Sequence, residues 1–229
     1  MPSANILIRN VTAVLTADDD AAGVAMGSEM SGGIFNVTIE DCVFGTEQFA
    51  SGVYIKSANR HTSFGRHCEA SDTGLCAGSP TRGGYVHDIV SRRIQLGNLS
   101  TLNTSARGDA MEGVSIFVST AYGDANPSCP QPAPIVQPAI SRLSYSQISQ
   151  IPGTAVRTAA QLVGDAEAWV ENVTMMDVEL PANWEGFECK FVRGGRSTDI
   201  VPRPQPAAAD HCLWNGVWNG VESSAARGV

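Results

Sequence analysis

The stretch "NVTIEDC", residues 36–42, has near copies in "NILIRNV", residues 5–11, and "NVTMMDV", residues 172–178. The shared template is Asn, apolar, any, apolar, any, polar, apolar. Looser copies begin at Asp88 ("DIVSRRI") and Arg142 ("RLSYSQI"). A second template falls between them: "GVAMGS" from Gly23, "GVYIKS" from Gly52, "GVSIFV" from Gly113 and "GTAVRT" from Gly153. The two kinds alternate along the chain. Each pair supplies two short strands joined by a turn. In a strand, alternate side chains share a face, so Ile6 goes with Ile8 and Val37 with Ile39. One such coil cannot bury that face alone, but stacked coils build a continuous core. By the same alternation, counted from Val37, Val43 turns inward and Cys42 does not.

The template intervals fit a solenoid with insertions. Asn5 to Asn36 spans 31 residues and Arg142 to Asn172 spans 30. Wider intervals hold polar inserts near 57–83, 96–112 and 120–138, and a C-terminal tail starts at about 186. Insertions in solenoids emerge as loops, commonly on one functional face. The Gly before each second strand suits a tight corner with unusual backbone angles. An Asn at an equivalent place on successive coils can bond its neighbours or turn backbone. A β-sandwich also has short strands at intervals, but it predicts hairpins with two-residue turns. Only "WNGVWNG", residues 214–220, carries that signal. The spacing therefore predicts one all-β domain over 1–229, a parallel β-helix. The best stretch for a helix, Ala159 to Trp169, has weak amphipathic spacing.

Composition agrees. The chain has 229 residues, 43% of them hydrophobic, and 23 glycines, which suit a turn-rich all-β domain. A net charge of −8 disfavours nucleic acid and anionic membranes as partners. No apolar run approaches the ~20 residues needed to cross a bilayer. "MPSANILIRNVT" lacks the charged start and apolar core of a signal peptide. Six cysteines occur without a CxxC or a Cys/His cluster at zinc spacing, so neither a metal site nor a cofactor is expected. Five glycosylation sequons, at Asn10, Asn36, Asn98, Asn103 and Asn172, together with the even cysteine count, favour a secreted history.

"GSEMSGG" (residues 27–33), followed by "NVTIEDCVF", "GVYIKS" and "RGG" with "VHDIVSRRI", resembles glycoside hydrolase family 28, the polygalacturonases, most of all their exo-acting members. "VSIFVSTAY", "ISRLSYSQIS", "VENVTMMDVEL" and "FECKFV" continue the likeness, and all 229 residues lie on the C-terminal half of such an enzyme. The resemblance implies a right-handed parallel β-helix truncated at its N-terminal side. It implies an extracellular hydrolase that splits galacturonan, the acidic polysaccharide of pectin, with inversion. Inverting hydrolysis uses one carboxylic acid on the leaving oxygen and a second carboxylate on the attacking water. In the family these come from N-T-D and D-D motifs, which lie upstream of this chain's first residue. Asp18-Asp19-Asp20 stands near the place of the family's G-H-G instead and reads as a solvated loop. The G-H-G histidine falls on Ala22, and the arginine of R-I-K falls on Tyr54, leaving Ile55 and Lys56. Weak or absent hydrolysis is therefore expected. The alternative is a non-catalytic carbohydrate-binding or structural β-helix.

The resemblance also marks candidate substrate contacts. Lys56 and Tyr54 point outward if Val53 and Ile55 face the core, and an outward Lys can pair with a uronate carboxylate. Arg60 belongs to the basic insert "KSANRHTSFGRH", which can attract a polyanion or be simply solvated. Arg82 sits at the family's basic turn. Tyr122 is either a sugar-stacking ring or a core-edge aromatic. Glu29 is either a ligand contact or an acceptor for turn N–H groups. Cys68 and Cys76 can close the insert, and Cys189 and Cys212 can bridge the tail; Cys129 has no evident partner. An uncapped first coil would leave open strand edges that favour self-association.

Overall fold

The computed structural model describes residues 2–13, 22–27, 33–45, 51–58, 84–99, 113–122, 139–154, 156, 158–180, 185–201 and 212–213. In chain order the strands are β1 (Ser3–Arg9), β2 (Thr12–Ala13), β3 (Ala22–Met26), β4 (Gly33–Phe44), β5 (Ser51–Ala58), β6 (Tyr85–Leu96), β7 (Val114–Tyr122), β8 (Ala139–Gln150), β9 (Thr158–Val163), β10 (Val170–Glu179), β11 (Glu185–Lys190), β12 (Val192–Val201) and β13 (Cys212–Leu213). They form an eight-stranded sheet, ordered β1-β4-β6-β8-β10-β12-β13 with β2 beside β4, and a five-stranded sheet, β11-β9-β7-β5-β3. Every pair of these strands is parallel. The chain alternates between the sheets coil after coil, so the fold is a parallel β-helix.

The Asn template marks a backbone device. Asn5, Asn36, Asp88, Arg142, Asn172 and Gly194 all take positive φ, and so do Asn10, Asp41, Arg93, Gln147, Asp177 and Asp199, each five residues further on. Each long strand thus bends twice. Asn and Asp tolerate the left-handed region because their short polar side chains bond locally. The column is tied across rungs: Asn36 Nδ2 donates to Asn5 Oδ1 at 2.6 Å. The arginines in these columns bind the aspartate of the preceding rung. Arg93 donates to Asp41 at 2.6 and 2.9 Å, and Arg142 to Asp88 at 2.6 and 2.9 Å. Two-pronged charged bonds of this kind offset part of the strain that a non-glycine residue carries in that conformation.

Each bend resets the in-out alternation. Val37 and Ile39 face the core at 2% and 0% exposure; after Asp41, Cys42 is inward at 1%. The expectation that Val43 would point inward fails for this reason. Inward columns run Val37, Ile89, Leu143, Val173 and Ile8, Ile39, Ser91, Tyr145, Met175, Ser197, with Ile6 at the head of the first column 38% exposed on the first rung. Full burial of one aliphatic side chain in them contributes about 1.5–3 kcal/mol.

Other expectations need correction. Ala159 to Trp169 is not helical: it holds β9 and a turn in which Asp165 and Ala168 exchange backbone hydrogen bonds of 3.0 Å. In the fourth "GTAVRT" template the strand is β9, later than the template placed it. Residues from 186 are no tail at first, because β11 and β12 form a further complete coil. The insertion bounds tighten, since β5 runs to Ala58, Leu99 bridges to Val156, and β7 runs to Tyr122. Gly23 and Gly52 are not at positive φ. A Cβ at Gly23 would lie 2.3 Å from the Phe44 ring, and one at Gly52 2.6 Å from the Ser115 carbonyl oxygen.

Candidate functional site

β5 lies between β3 and β7 in the five-stranded sheet. Val53 and Ile55 are fully buried in the core, which turns Tyr54 and Lys56 to the sheet's other face. Tyr54 is not open to solvent, however: it is 2% exposed. Its ring stacks on Phe117 of β7 with centroids 4.6 Å apart, and the Lys56 Nζ lies 4.8 Å from the Tyr54 centroid. Tyr54 therefore supports the ammonium through the negative face of its ring. Lys56 itself is half-buried.

The glycines of "GSEMSGG" have a local purpose at its two ends. Gly27 has φ +96°, and a Cβ there would come 1.7 Å from the Lys56 carbonyl oxygen. Only glycine lets the end of β3 lie this close to the backbone that carries the lysine. At the other end, a Cβ on Gly33 would sit 1.9 Å from the Tyr85 ring.

The register fixes two rows on this face. One is Ala25, Tyr54, Phe117, Gln161, Glu188; the other is Lys56, Ser119, Val163, Lys190. Glu188 is the sole carboxylate in the two rows. Lys190 was not among the candidates read from the sequence, yet it shares the row with Lys56. The signal was present in "VYIK" (53–56) and "FECK" (187–190), which repeat the same in-out order and end on lysine. Ala22, at the place of the family histidine, opens β3 beside Ser51. Tyr122 closes β7 opposite Ala58, and its backbone alone is described. Glu29, Arg60, Arg82, Cys68, Cys76, Cys129 and Asp18 to Asp20 lie outside the described residues. Cys189 is disulfide-bonded, and the backbone of Cys212 lies beside Val192. Cys42 is a free buried thiol whose Sγ donates to the Glu40 carbonyl at 3.2 Å.

The eight-stranded sheet concentrates its charges differently. The Glu40 carboxylate, 1% exposed, is held by Arg9 on the rung before and by Arg92 and Arg93 on the rung after. Hydrogen bonds from Arg92 and Arg9 keep its carboxyl below the ordinary carboxylate range. Bonds from Arg142 and then His87, at 2.6 Å, hold Asp88 well below it too. An open groove of about 440 Å³ runs along the second bend, lined by Asp41, Arg93, Gln95, Gln147 and Ser149 among others. Here the charges are spent on tying coils together. Among the described residues no three His, Cys, Asp or Glu side chains converge to hold a metal ion. Comparison of the chain with protein-family models, curated proteins and solved structures finds no match.

Proposed function

We propose that this protein is a polygalacturonase-like β-helix that binds an acidic polysaccharide of the galacturonan type along the outer face of its five-stranded sheet, and hydrolyses it weakly or not at all. One observation carries the reading. Lys56, at the lysine of the Ile-Lys pair shared with the polygalacturonase motif, stands on the outer face of a parallel β-helix strand with its ammonium braced over Tyr54. A lysine so placed suits a single carboxylate on each sugar. Inverting hydrolysis asks for two carboxyl groups about 6.5–9.5 Å apart. The two outward rows hold one acid, Glu188, on the strand furthest from β3, so no such pair within these rows flanks Lys56.

The test combines binding and turnover. Purified protein is titrated with polygalacturonate by calorimetry at several salt concentrations, and reducing ends are assayed in parallel. Binding that weakens with salt is expected, because exposed charge pairs are screened over ~10 Å at 0.1 M. Lys56→Gln should weaken it about tenfold, the loss of one charge-assisted bond. Vigorous release of reducing ends, abolished by Lys56→Ala, would overturn the weak-hydrolysis part. Absence of any binding would overturn the whole reading.

A further inference from the structure

We infer that Lys190 is a second anchor for the same anionic chain, so that the ligand lies along the solenoid axis and touches lysines three rungs apart. This rests on the galacturonan reading above. The sequence holds only two lysines, Lys56 and Lys190, among 15 basic residues. They are 134 positions apart, yet the register Lys56–Ser119–Val163–Lys190 puts both in one outward row. The described arginines with ion pairs, Arg9, Arg92, Arg93, Arg142 and Arg193, are all on the eight-stranded sheet, committed to carboxylates. Arginine there grips with two prongs. Lysine on the other sheet is a point charge on an aliphatic stem, the form that meets one carboxylate at a time.

The two ends of the row are built alike. Lys56 lies over the Tyr54 ring at 4.8 Å, and Lys190 lies 5.9 Å from the centre of the Phe191 ring. Phe191 has φ 48°, an uncommon conformation for a bulky aromatic residue. It forms a one-residue corner between β11 and β12, and Gly164 makes room for it: a Cβ at Gly164 would lie 2.3 Å from the Phe191 carbonyl oxygen. A ring kept in a strained corner beside the lysine is an independent feature of this end. Between the lysines the rows offer half-buried Gln161, whose amide suits hydroxyl groups, and half-buried Val163, while Ser119 is covered at 3% exposure. Glu188 faces outward in the neighbouring row, two residues before Lys190, so its carboxylate weakens the hold on a uronate at this end without removing the Lys190 charge. Rungs about 4.8 Å apart place the two lysine positions about 14 Å from each other, so the disaccharide reaches one and a longer oligomer reaches both.

Oligogalacturonides of graded length, from the disaccharide upward, are titrated into the wild type, Lys56→Gln and Lys190→Gln. Circular dichroism verifies that each variant is folded; Lys190 is exposed, so its substitution leaves the core intact. Wild-type affinity should rise steeply once the oligomer passes three rungs, because the second contact becomes intramolecular. Lys190→Gln should remove about tenfold of affinity for long oligomers and flatten that rise. Disaccharide binding that depends on Lys56 should be unchanged by it. Long-oligomer binding that needs Lys56 but is indifferent to Lys190→Gln would overturn the second anchor and leave the galacturonan reading standing. No binding at any length would overturn both.

Discussion

Replacing Tyr145 by Phe should stabilise this protein. Tyr145 stands in an inward column between Ser91 and Met175 and is 1% exposed. Among the described residues its hydroxyl has no hydrogen-bond partner, and neither has the Ser91 Oγ on the rung before. A buried hydroxyl left unpaired costs about 1–3 kcal/mol. Tyr145→Phe keeps the ring and removes that cost. The void left by one oxygen, ~10 Å³ at ~24 cal/mol per Å³, takes back about 0.2 kcal/mol. A net gain of about 1–2 kcal/mol, with a urea slope of about 3 kcal/mol per molar, raises the urea midpoint by about 0.3–0.7 M. Alkaline pH adds a second readout. Burial pushes the Tyr145 phenol above its ordinary value of 10.0, since the dry core tolerates only the neutral form. The folded state then keeps a proton that the unfolded chain releases. This contribution is intact below pH ~10 and is lost as pH climbs through the raised folded value. The wild type should therefore lose stability relative to Tyr145→Phe above pH ~10, widening the gap between their midpoints. A lower midpoint for Tyr145→Phe would refute the reasoning by showing that the hydroxyl has a partner, and a gap that stays constant into the alkaline range would refute the dry burial of the phenol.

Two glycines with almost the same φ separate strain from space. Gly153 has φ +81°, and a Cβ there would find nothing within 4 Å; at Gly195, φ +82°, a Cβ would meet the Val173 carbonyl oxygen at 2.0 Å. Gly153→Ala should cost about 1 kcal/mol and lower Tm by about 2–4 °C; Gly195→Ala should lower it at least twice as far, because β10 and β12 must part. Calorimetry of the two variants that gave equal shifts would disprove the steric part. Asp88 is held well below the usual carboxylate range by Arg142 and His87, so its stabilisation is present above pH ~4 and lost as pH falls through the depressed value. The pair is largely exposed, which limits its worth to about 1 kcal/mol. Asp88→Asn should be slightly less stable than the wild type at pH ~6, and urea titrations at falling pH should show the difference closing.

The repeat that makes the fold legible is a repeat of backbone geometry. Asn5, Asn36, Asp88 and Asn172 announce themselves because few residue types accept positive φ, and their spacing survives insertions elsewhere in the coil. Arg142 fits the same template only loosely, since what lets an arginine stand there is Asp88 on the preceding rung, a fact of three dimensions. The last full coil escapes the template because Gly194 replaces the Asn; glycine satisfies the same angle without resembling it. Cys42 departs from simple alternation for a related reason. A period of two holds only between bends, and Asp41 shifts it by one. The five-stranded sheet has no such marker column, so its register, and with it the alignment of Lys56 with Lys190, is hidden until the strands are paired. For Tyr54, alternation gives direction but not cover; Phe117, which stacks on it, comes from a strand 63 residues later.

That difference between the sheets bears on where a ligand could sit. Bends in the eight-stranded sheet turn polar side chains toward the same residues on adjacent rungs, and Asn36, Arg93 and Arg142 each close a bond there. A guanidinium bound to a carboxylate on both prongs must break that pair before it can take a ligand's charge, and the coil-to-coil tie is lost with it. Binding on that face would therefore work against the fold. Among the described residues of β3, β5, β7, β9 and β11 none has positive φ, and continuous backbone pairing joins these rungs. The contact between a lysine and its aromatic ring lies outside that backbone pairing, so turning the ammonium toward a ligand carboxylate leaves the pairing intact. Among the described residues the basic side chains thus divide by chemistry: Arg9, Arg92, Arg93, Arg142 and Arg193 fasten coils on one sheet, and the two lysines stand on the other, where a side chain can turn to a ligand without parting the strands.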